Sequence, residues 1–477
     1  VVGALLFWAA GPPARNAWAD TIVLKNGRRI VALTVIESAD KVKYLTSAGE
    51  LSLPKSIVDH IEKGGAVPGA DAPPAGAAEL TITPPEVQLR GAQASAIQNS
   101  AIHDQAIDRD YLGKLDNQAR SGSAAAHQAA ALAHHAASLF ELARGDIDKA
   151  VNDERQALIY SPEQPGLLMN LAYLYLRRSQ YRQALDYLDR ARRVAPDNPD
   201  LPKLTGWAYY GMNKLDQAVA EWKRALALRP DAEVRAALEK AQRDLQEEEH
   251  YREGESSHFV LRYSGAAEPA LARAVLRTLE AHFSSIESQL DFSPSEPIAV
   301  ILYTQESFAD ITRAPAWVGA LNDGRIRVPV QGLTEVTADL SRVLKHELTH
   351  TFLHGKTQGR APVWIQEGVA QWMEGKRSNE SASFLIQLYD QKQAWSLAQL
   401  EGSWMKLRAD QAEYAYAWAL ANIEYLIDAD GLVDLERILG RITQGSSTEA
   451  ALYDVLHSDY QDLIASTVQY LRKRYGP

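Results

Sequence analysis

The chain has 477 residues, a formal net charge of -11 and no cysteine. Without cysteine there is no disulfide, thiolate metal site, thiol nucleophile or cysteine-linked lipid anchor, so any metal must be held by nitrogen and oxygen ligands. The acidic balance argues against a broad nucleic-acid surface, which needs a basic footprint, and the length is that of about two to four domains.

In chain order, residues 1–10 are apolar, and Ala17-Trp18-Ala19 is a small-x-small pattern before Asp20. This reads as a truncated signal peptide over 1–19, so the protein is expected to be exported, to the periplasm or fully secreted. A run of about ten apolar residues is too short to span a bilayer, and no membrane span is expected in the mature chain. Residues 20–63 carry alternating segments such as Lys41-Val42-Lys43-Tyr44-Leu45, with turn signals at Asn26-Gly27 and at Ser47 to Glu50. They predict a small all-β module of barrel type with no catalytic set. Residues 64–100, rich in alanine, proline and glycine, predict a flexible linker.

An internal repeat governs the stretch assigned to 101–250. Pro162, Pro196 and Pro230 are 34 residues apart, as are Ala150, Ala184 and Ala218, and Ala157, Ala191 and Ala225. Ser138, Ala172 and Gly206 keep the same period. Small residues at fixed spacing let paired helices cross closely, and proline ends the second helix of each pair. These positions resemble the tetratricopeptide repeat, an α-solenoid unit. Tyr175 and Tyr209 fit an aromatic position of that pattern; Glu141 departs from it. The resemblance implies a groove for a peptide or protein partner, although a rigid spacer has the same fold.

From 256 to 477 the pattern predicts an α+β domain. His258 to Tyr263 and Pro297 to Tyr303 read as strands. Residues 267–290 read as a helix, Arg325 to Val328 follows a turn at Asn322-Asp323-Gly324, and the rest is mostly helical. Within it lies His346-Glu347-Leu348-Thr349-His350, an HExxH motif in a helical context, with Gly355 as its expected C-terminal cap. Positions i and i+4 lie above one another on a helix, so both imidazoles can reach one Zn2+ ion while Glu347 faces the water to be activated. Catalytic zinc sites use three protein ligands, and Glu367 in the following helical run is the expected third.

The set His346, His350 and Glu367, with Trp364, Gly368 and Ala370 around the glutamate, resembles the gluzincins and the peptidase MA-like domains that accompany tetratricopeptide repeats. The resemblance covers roughly residues 256–430. A metzincin would need glycine at 353 and histidine at 356, where this chain has Leu353 and Lys356. His354 lies about 12 Å of helical rise from His346, too far to share its metal, and is expected at the surface or behind a ligand. The resemblance implies hydrolysis of a peptide or protein substrate, with Glu347 as general base and Tyr416 assisting the oxyanion; Tyr414 is a rival for that place. It also leads one to expect a carboxylate one turn after Glu367 to orient a histidine, where this chain has Gln371. The strand Arg325 to Val328 is expected to pair with an extended substrate. Two other functions stay open: a repeat scaffold or assembly protein with a latent or inactive zinc domain, and a zinc hydrolase acting on a non-peptide amide.

Overall fold

The computed structural model describes residues 18–25, 29–32, 34–38, 40–46, 49–66, 83–85, 94–120, 122–264, 269–303, 321–322, 324–330, 333–404, 407 and 409–476. Most of the expected leader and linker lie outside the described residues. The described chain is mostly helical, with four small sheets. No helix among the described residues is long and apolar enough to cross a membrane.

Six strands come first: β1 (Trp18–Leu24), β2 (Arg29–Ala32), β3 (Thr34–Glu37), β4 (Lys41–Thr46), β5 (Gly49–Pro54) and β6 (Val58–Ala66). The sequence suggested a barrel. The strands instead divide into two antiparallel sheets of three, ordered β2-β1-β6 and β3-β4-β5. Alternating side chains of both sheets, Ile22, Val35, Val42, Tyr44, Leu53 and Val58, share one small core. The β1–β6 ladder extends to Trp18 opposite Ala66. It therefore takes in two residues of the expected leader and three of the expected linker, because the backbone groups there find antiparallel partners.

Helix α1 (Ala94–Ala101) opens the helical region, followed by the hairpin β7 (Ile102–His103) and β8 (Ala106–Ile107) and then α2 (Arg109–Ala119). Three helical hairpins come next: α3 (Ala124–Arg144) with α4 (Ile147–Tyr160), α5 (Pro165–Arg177) with α6 (Tyr181–Val194), and α7 (Asp200–Gly211) with α8 (Leu215–Leu228). Each hairpin stacks on the next, and α9 (Ala232–Glu248) covers the last. The small repeated residues sit where the helices cross: Ala150, Ala172, Ala184, Ala191 and Ala218 are all fully buried. A further period is set in the turns. Gly145, Ser179 and Asn213, again 34 apart, each adopt a positive φ between the two helices of a hairpin. Glu141 breaks the aromatic position because Arg109 of α2 lies 3.3 Å from it and pairs with Asp153 at 2.7 Å.

A five-stranded sheet follows: β9 (Arg252–Glu255), β10 (Phe259–Tyr263), β11 (Ile298–Tyr303), β12 (Leu321–Asn322) and β13 (Ile326–Pro329), in the order β12-β13-β11-β10-β9. Strands β10, β11 and β13 are parallel, with β9 and β12 antiparallel at the edges. The sheet thus starts at Arg252, before the expected 256, since β9 pairs with β10. Strand β13 is not an open edge: β11 and β12 pair with it on both sides at Ile326 and Arg327. At Ile326 and Arg327 the backbone is therefore already paired where the substrate was expected along 325–328. Helix α10 (Pro269–Leu290) joins β10 to β11 and buries Leu271, Val275, Leu279, Phe283 and Ile286. The helices α11 (Ala338–Thr357), α12 (Val363–Met373), α13 (Ala382–Asp390), α14 (Ala409–Ala429), α15 (Leu432–Thr443), α16 (Thr448–Leu456) and α17 (Tyr460–Tyr475) complete the chain around one large core.

The repeats and this sheet are joined by buried charge. From α9, Asp244 accepts two hydrogen bonds from Arg327, at 2.9 and 2.8 Å, and Glu248 accepts one from Arg325 at 2.8 Å. Tyr303 bridges them, accepting from Arg327 at 2.7 Å and donating to Glu248 at 3.0 Å. All five side chains are essentially inaccessible to solvent. Removing one partner of such a group strands its counter-charges in a low dielectric, at a cost of about 3–5 kcal/mol. Asp244→Ala should therefore lower the urea midpoint of the folded protein, with faster amide exchange concentrated in α9 and β13; exchange spread evenly over the chain would contradict a local junction.

Candidate metal centre

Helix α11 starts on Thr337, whose side chain accepts from the Leu340 N–H at 3.1 Å. Leu340, Val343, Leu344, Leu348 and Phe352 bury its inner side in the core. His346 and His350, one turn apart, have ring centroids 4.9 Å from each other. The helix runs on to Thr357 and is capped by Gln358 in the left-handed region, its reversal completed by Gly359, also at positive φ. Gly355 is therefore not the cap the sequence suggested. It lies inside the helix, where a β-carbon would come within 2.7 Å of the Phe292 ring, so its smallness serves packing.

After this reversal α12 brings Glu367 to the histidines. The next residue explains how a third helix comes so near: a β-carbon on Gly368 would fall 2.4 Å from the Ala419 carbonyl oxygen of α14. One ligand atom each from His346, His350 and Glu367 falls within a mutual 4.8 Å, the spacing of a set able to hold one metal ion. Glu367 Oε2 lies 3.3 Å from His346 Nε2 and 3.7 Å from His350 Nε2. It is buried and makes no hydrogen bond of normal geometry. A buried carboxylate oxygen facing two ring nitrogens is a donor set that suits a divalent cation with nitrogen and oxygen preferences.

Without a metal ion the two histidines are shifted in opposite directions. Burial pushes His350 down to about 4, so it is neutral, as a ligand must be. Burial would also lower His346, but the Glu367 and Glu374 carboxylates outweigh it and push this histidine up to about 10. Glu367 is held below the ordinary carboxylate range, in spite of its burial, by His350 and His346. Glu347 is pushed up to about 7, by burial first, with His346 opposing and Glu367 and Glu374 adding repulsion. Two buried carboxylates, Glu347 and Glu374, and the partly buried Glu367 beside two imidazoles attract positive charge, and a dication here would draw Glu347 back toward its ionised form.

The two rival tyrosines separate. The Tyr414 hydroxyl is engaged elsewhere: it accepts from the Trp395 N–H at 2.7 Å and donates to the Gln393 carbonyl at 3.4 Å. Tyr416 stacks edge-on with Trp404, and its phenol is raised well above 10, by burial and then by Glu367, Glu347 and Glu374. Tyr416 is thus the one that shares the acidic site. His354 is exposed, its ring lying over Gly359, away from the cluster. Gln371 does not address a histidine; its amide donates to the carbonyls of Glu367, at 3.2 Å, and Tyr416, at 3.0 Å, and so ties α12 to α14. The residue that sequence reasoning missed is Glu374. Its side chain is wholly buried, with Oε1 3.7 Å from His346 Nδ1. Its signal was present, since it stands two helical turns after Glu367 on the same face.

Residues 280–472 match the sequence profile described as Peptidase MA superfamily, and residues 141–204 and 176–241 match the tetratricopeptide repeat. The chain carries a Peptidase MA superfamily domain together with tetratricopeptide repeats. The Peptidase MA match holds His346, Glu347, His350 and Glu367 and leaves β9 and β10 outside. Among curated proteins, Cellulose synthase operon protein C of Pseudomonas fluorescens (strain SBW25) is 37% identical over 84 residues, which is 18% of this chain and 6% of that protein. The chain therefore spans only a small part of that relative's length. Of solved structures, the first tetratricopeptide domain of Spaghetti (RPAP3) bound to an HSP90 peptide is 23% identical, covering 24% of this chain and 93% of its own, at a TM-score of 0.24. A mutant of MamA is 15% identical, covering 33% of this chain and 90% of its own, also at 0.24.

The close approach at Gly368 gives a direct test. Gly368→Ala forces α12 and α14 apart and should cost about 1–3 kcal/mol, read as a lower thermal midpoint. Because Glu367 is its neighbour, the same variant should also bind zinc more weakly than wild type in a chelator competition.

Proposed function

We propose that this protein is an exported zinc metallopeptidase, in which His346, His350 and Glu367 hold the metal and Glu347 is the general base. The observation that carries the reading is the convergence of one atom from each of those three ligands within 4.8 Å, with Glu347 buried beside them. The Peptidase MA match over this segment supports it. Export, to the periplasm or beyond, rests on the apolar residues 1–10 and the Ala17-Trp18-Ala19 pattern. In this reading the sheets of β1 to β6 are a packing or docking module, the helical hairpins are a solenoid, and the gluzincin-like domain begins with β9 at Arg252.

When bound, zinc supplies Lewis-acid polarisation of the scissile carbonyl and makes water a stronger acid. The residues of the chain do the rest. Glu347, buried beside the ligands and drawn toward its ionised form by a bound dication, takes the proton of the attacking water and returns it to the leaving amine. The Tyr416 phenol, kept protonated by burial and by three carboxylates, donates a hydrogen bond to the oxyanion that forms on the carbonyl. The solenoid offers a surface for a protein partner or for the substrate itself.

Wild-type protein should take up one zinc ion and cleave members of a mixed peptide library. Glu347→Gln should keep the zinc and lose cleavage by about 10²–10⁴-fold. Tyr416→Phe should lower kcat by about 10²-fold or more, whereas Tyr414→Phe, which breaks only local hydrogen bonds, should cost about 1 kcal/mol of stability and leave kcat near wild type. Zinc uptake without cleavage by any form would favour a scaffold with a latent zinc domain or a non-peptide amide substrate.

A further inference from the structure

We propose that residues 83–85 are a strap, supplied by the chain itself, that closes the surface formed by α7 and α9, and that a partner reaches this surface by displacing the strap with an extended segment of the same chemistry, a hydroxyl residue followed by two prolines. The inference stands apart from the metal-site reading, and its test needs no zinc.

Thr83, Pro84 and Pro85 belong to the stretch whose composition marks it as a linker, yet they are seated on the repeats. The Thr83 hydroxyl accepts from the Lys203 ammonium of α7 at 2.6 Å and donates to Glu233 Oε2 of α9 at 3.0 Å. Both partners carry charge, so both bonds are of the stronger, charge-assisted kind. The two partners are held in place by contacts other than the strap. Lys203 is only 6% exposed, and its ammonium also donates to Asp231 at 2.8 Å. Asp231 is in turn the N-terminal cap of α9, and Glu233 stands in the first turn of that helix. A fixed donor beside a fixed acceptor reads a hydroxyl, which serves both at once; an aliphatic side chain serves neither.

The prolines shape the rest. Pro84 is exposed and Pro85 is buried, as neighbouring residues of an extended chain lying on a surface are. A proline after Thr83 and another after Pro84 keep both residues out of the helical region, so the segment is extended by its own sequence and loses little freedom on docking. The contact itself is small, one hydroxyl and one covered ring, and the chain keeps it close. Nine residues after Pro85, Ala94 opens α1, which packs on α3 of the first hairpin. A tether of that length holds the segment at an effective concentration on the order of 1 mM at its own site. Closure therefore needs no tight intrinsic affinity, and a partner that carries the same chemistry on a larger interface lifts the strap.

The test uses the full chain and, as probe, a fluorescent synthetic peptide with the sequence of residues 79–89. In anisotropy titrations the wild type should bind the probe weakly, because the strap competes with it. Thr83→Val combined with Pro85→Gly opens the face and should bind the probe about 10-fold or more tightly, since the fraction of open sites rises. Adding Lys203→Met to that pair should abolish the gain. Equal affinity of the wild type and the opened variant overturns the strap, and so does an opened variant that does not bind the probe. A gain that survives Lys203→Met places the probe elsewhere and overturns the assigned face. A second measurement serves even if Lys203→Met fails to fold. The chain has no cysteine, so a nitroxide can be attached at Pro84→Cys alone. Its spectrum should show restrained motion, and faster motion once the probe is in excess. A spectrum that excess probe leaves unchanged overturns the displacement, and one already mobile without probe overturns the strap.

Discussion

The architecture depends on the group of buried charges between α9 and the sheet. Two guanidiniums on β13 and its preceding turn have their counter-ions on a helix that belongs to the repeat stack. Neither partner is tolerable alone in a dry interior, so the end of the stack and the start of the second region must fold against each other. Hydrophobic contact would hold them together without fixing a register. Bidentate geometry at Arg327 and the Tyr303 bridge fix one. The sheet is thereby set relative to the repeats, and the motif helix packs against that sheet.

Much of the arrangement was legible because it is periodic or locally coded. The 34-residue spacing of small residues and prolines marked the hairpins, since helix crossings demand small side chains wherever they recur. The HExxH spacing and a downstream glutamate named the cluster, since helical periodicity converts sequence distance into direction. What escaped was non-local. Gly355 looked like a cap because glycine often is one; only the packing of Phe292 reveals why the residue is small. The pairing of strand 325–328 with β12 escaped because a two-residue strand is too short to leave a pattern. The choice between Tyr414 and Tyr416 needed the hydroxyl partners of the first and the acidic neighbours of the second.

The acidic surroundings of the candidate centre follow from the same economy of helices. Helix α12 supplies Glu367 and Glu374 from one face, and Gln371 between them reaches the α14 backbone. Gly368 on another side removes the bulk that would keep α14 away. An eleven-residue helix thus carries a candidate ligand, a brace and a crossing point and ends on a buried carboxylate. Little of it is free to vary independently, because each residue type answers to a different neighbour.

One small contact changes the mechanical character of the whole chain. Arg360, in the reversal between α11 and α12, donates to the Ile442 carbonyl at 2.9 Å, and its guanidinium lies against Gly145 at the first hairpin turn. Arg182, in the second hairpin, reaches Glu296 at 3.4 Å. The repeat stack is therefore not a cantilever rooted only at α9. It is a beam supported at both ends, with a prop between, and such a beam bends far less under the same load. Its far support bears on the loop that spaces the two helices of the histidines and Glu367, so a partner that pulls on the first repeat pulls on that loop as well.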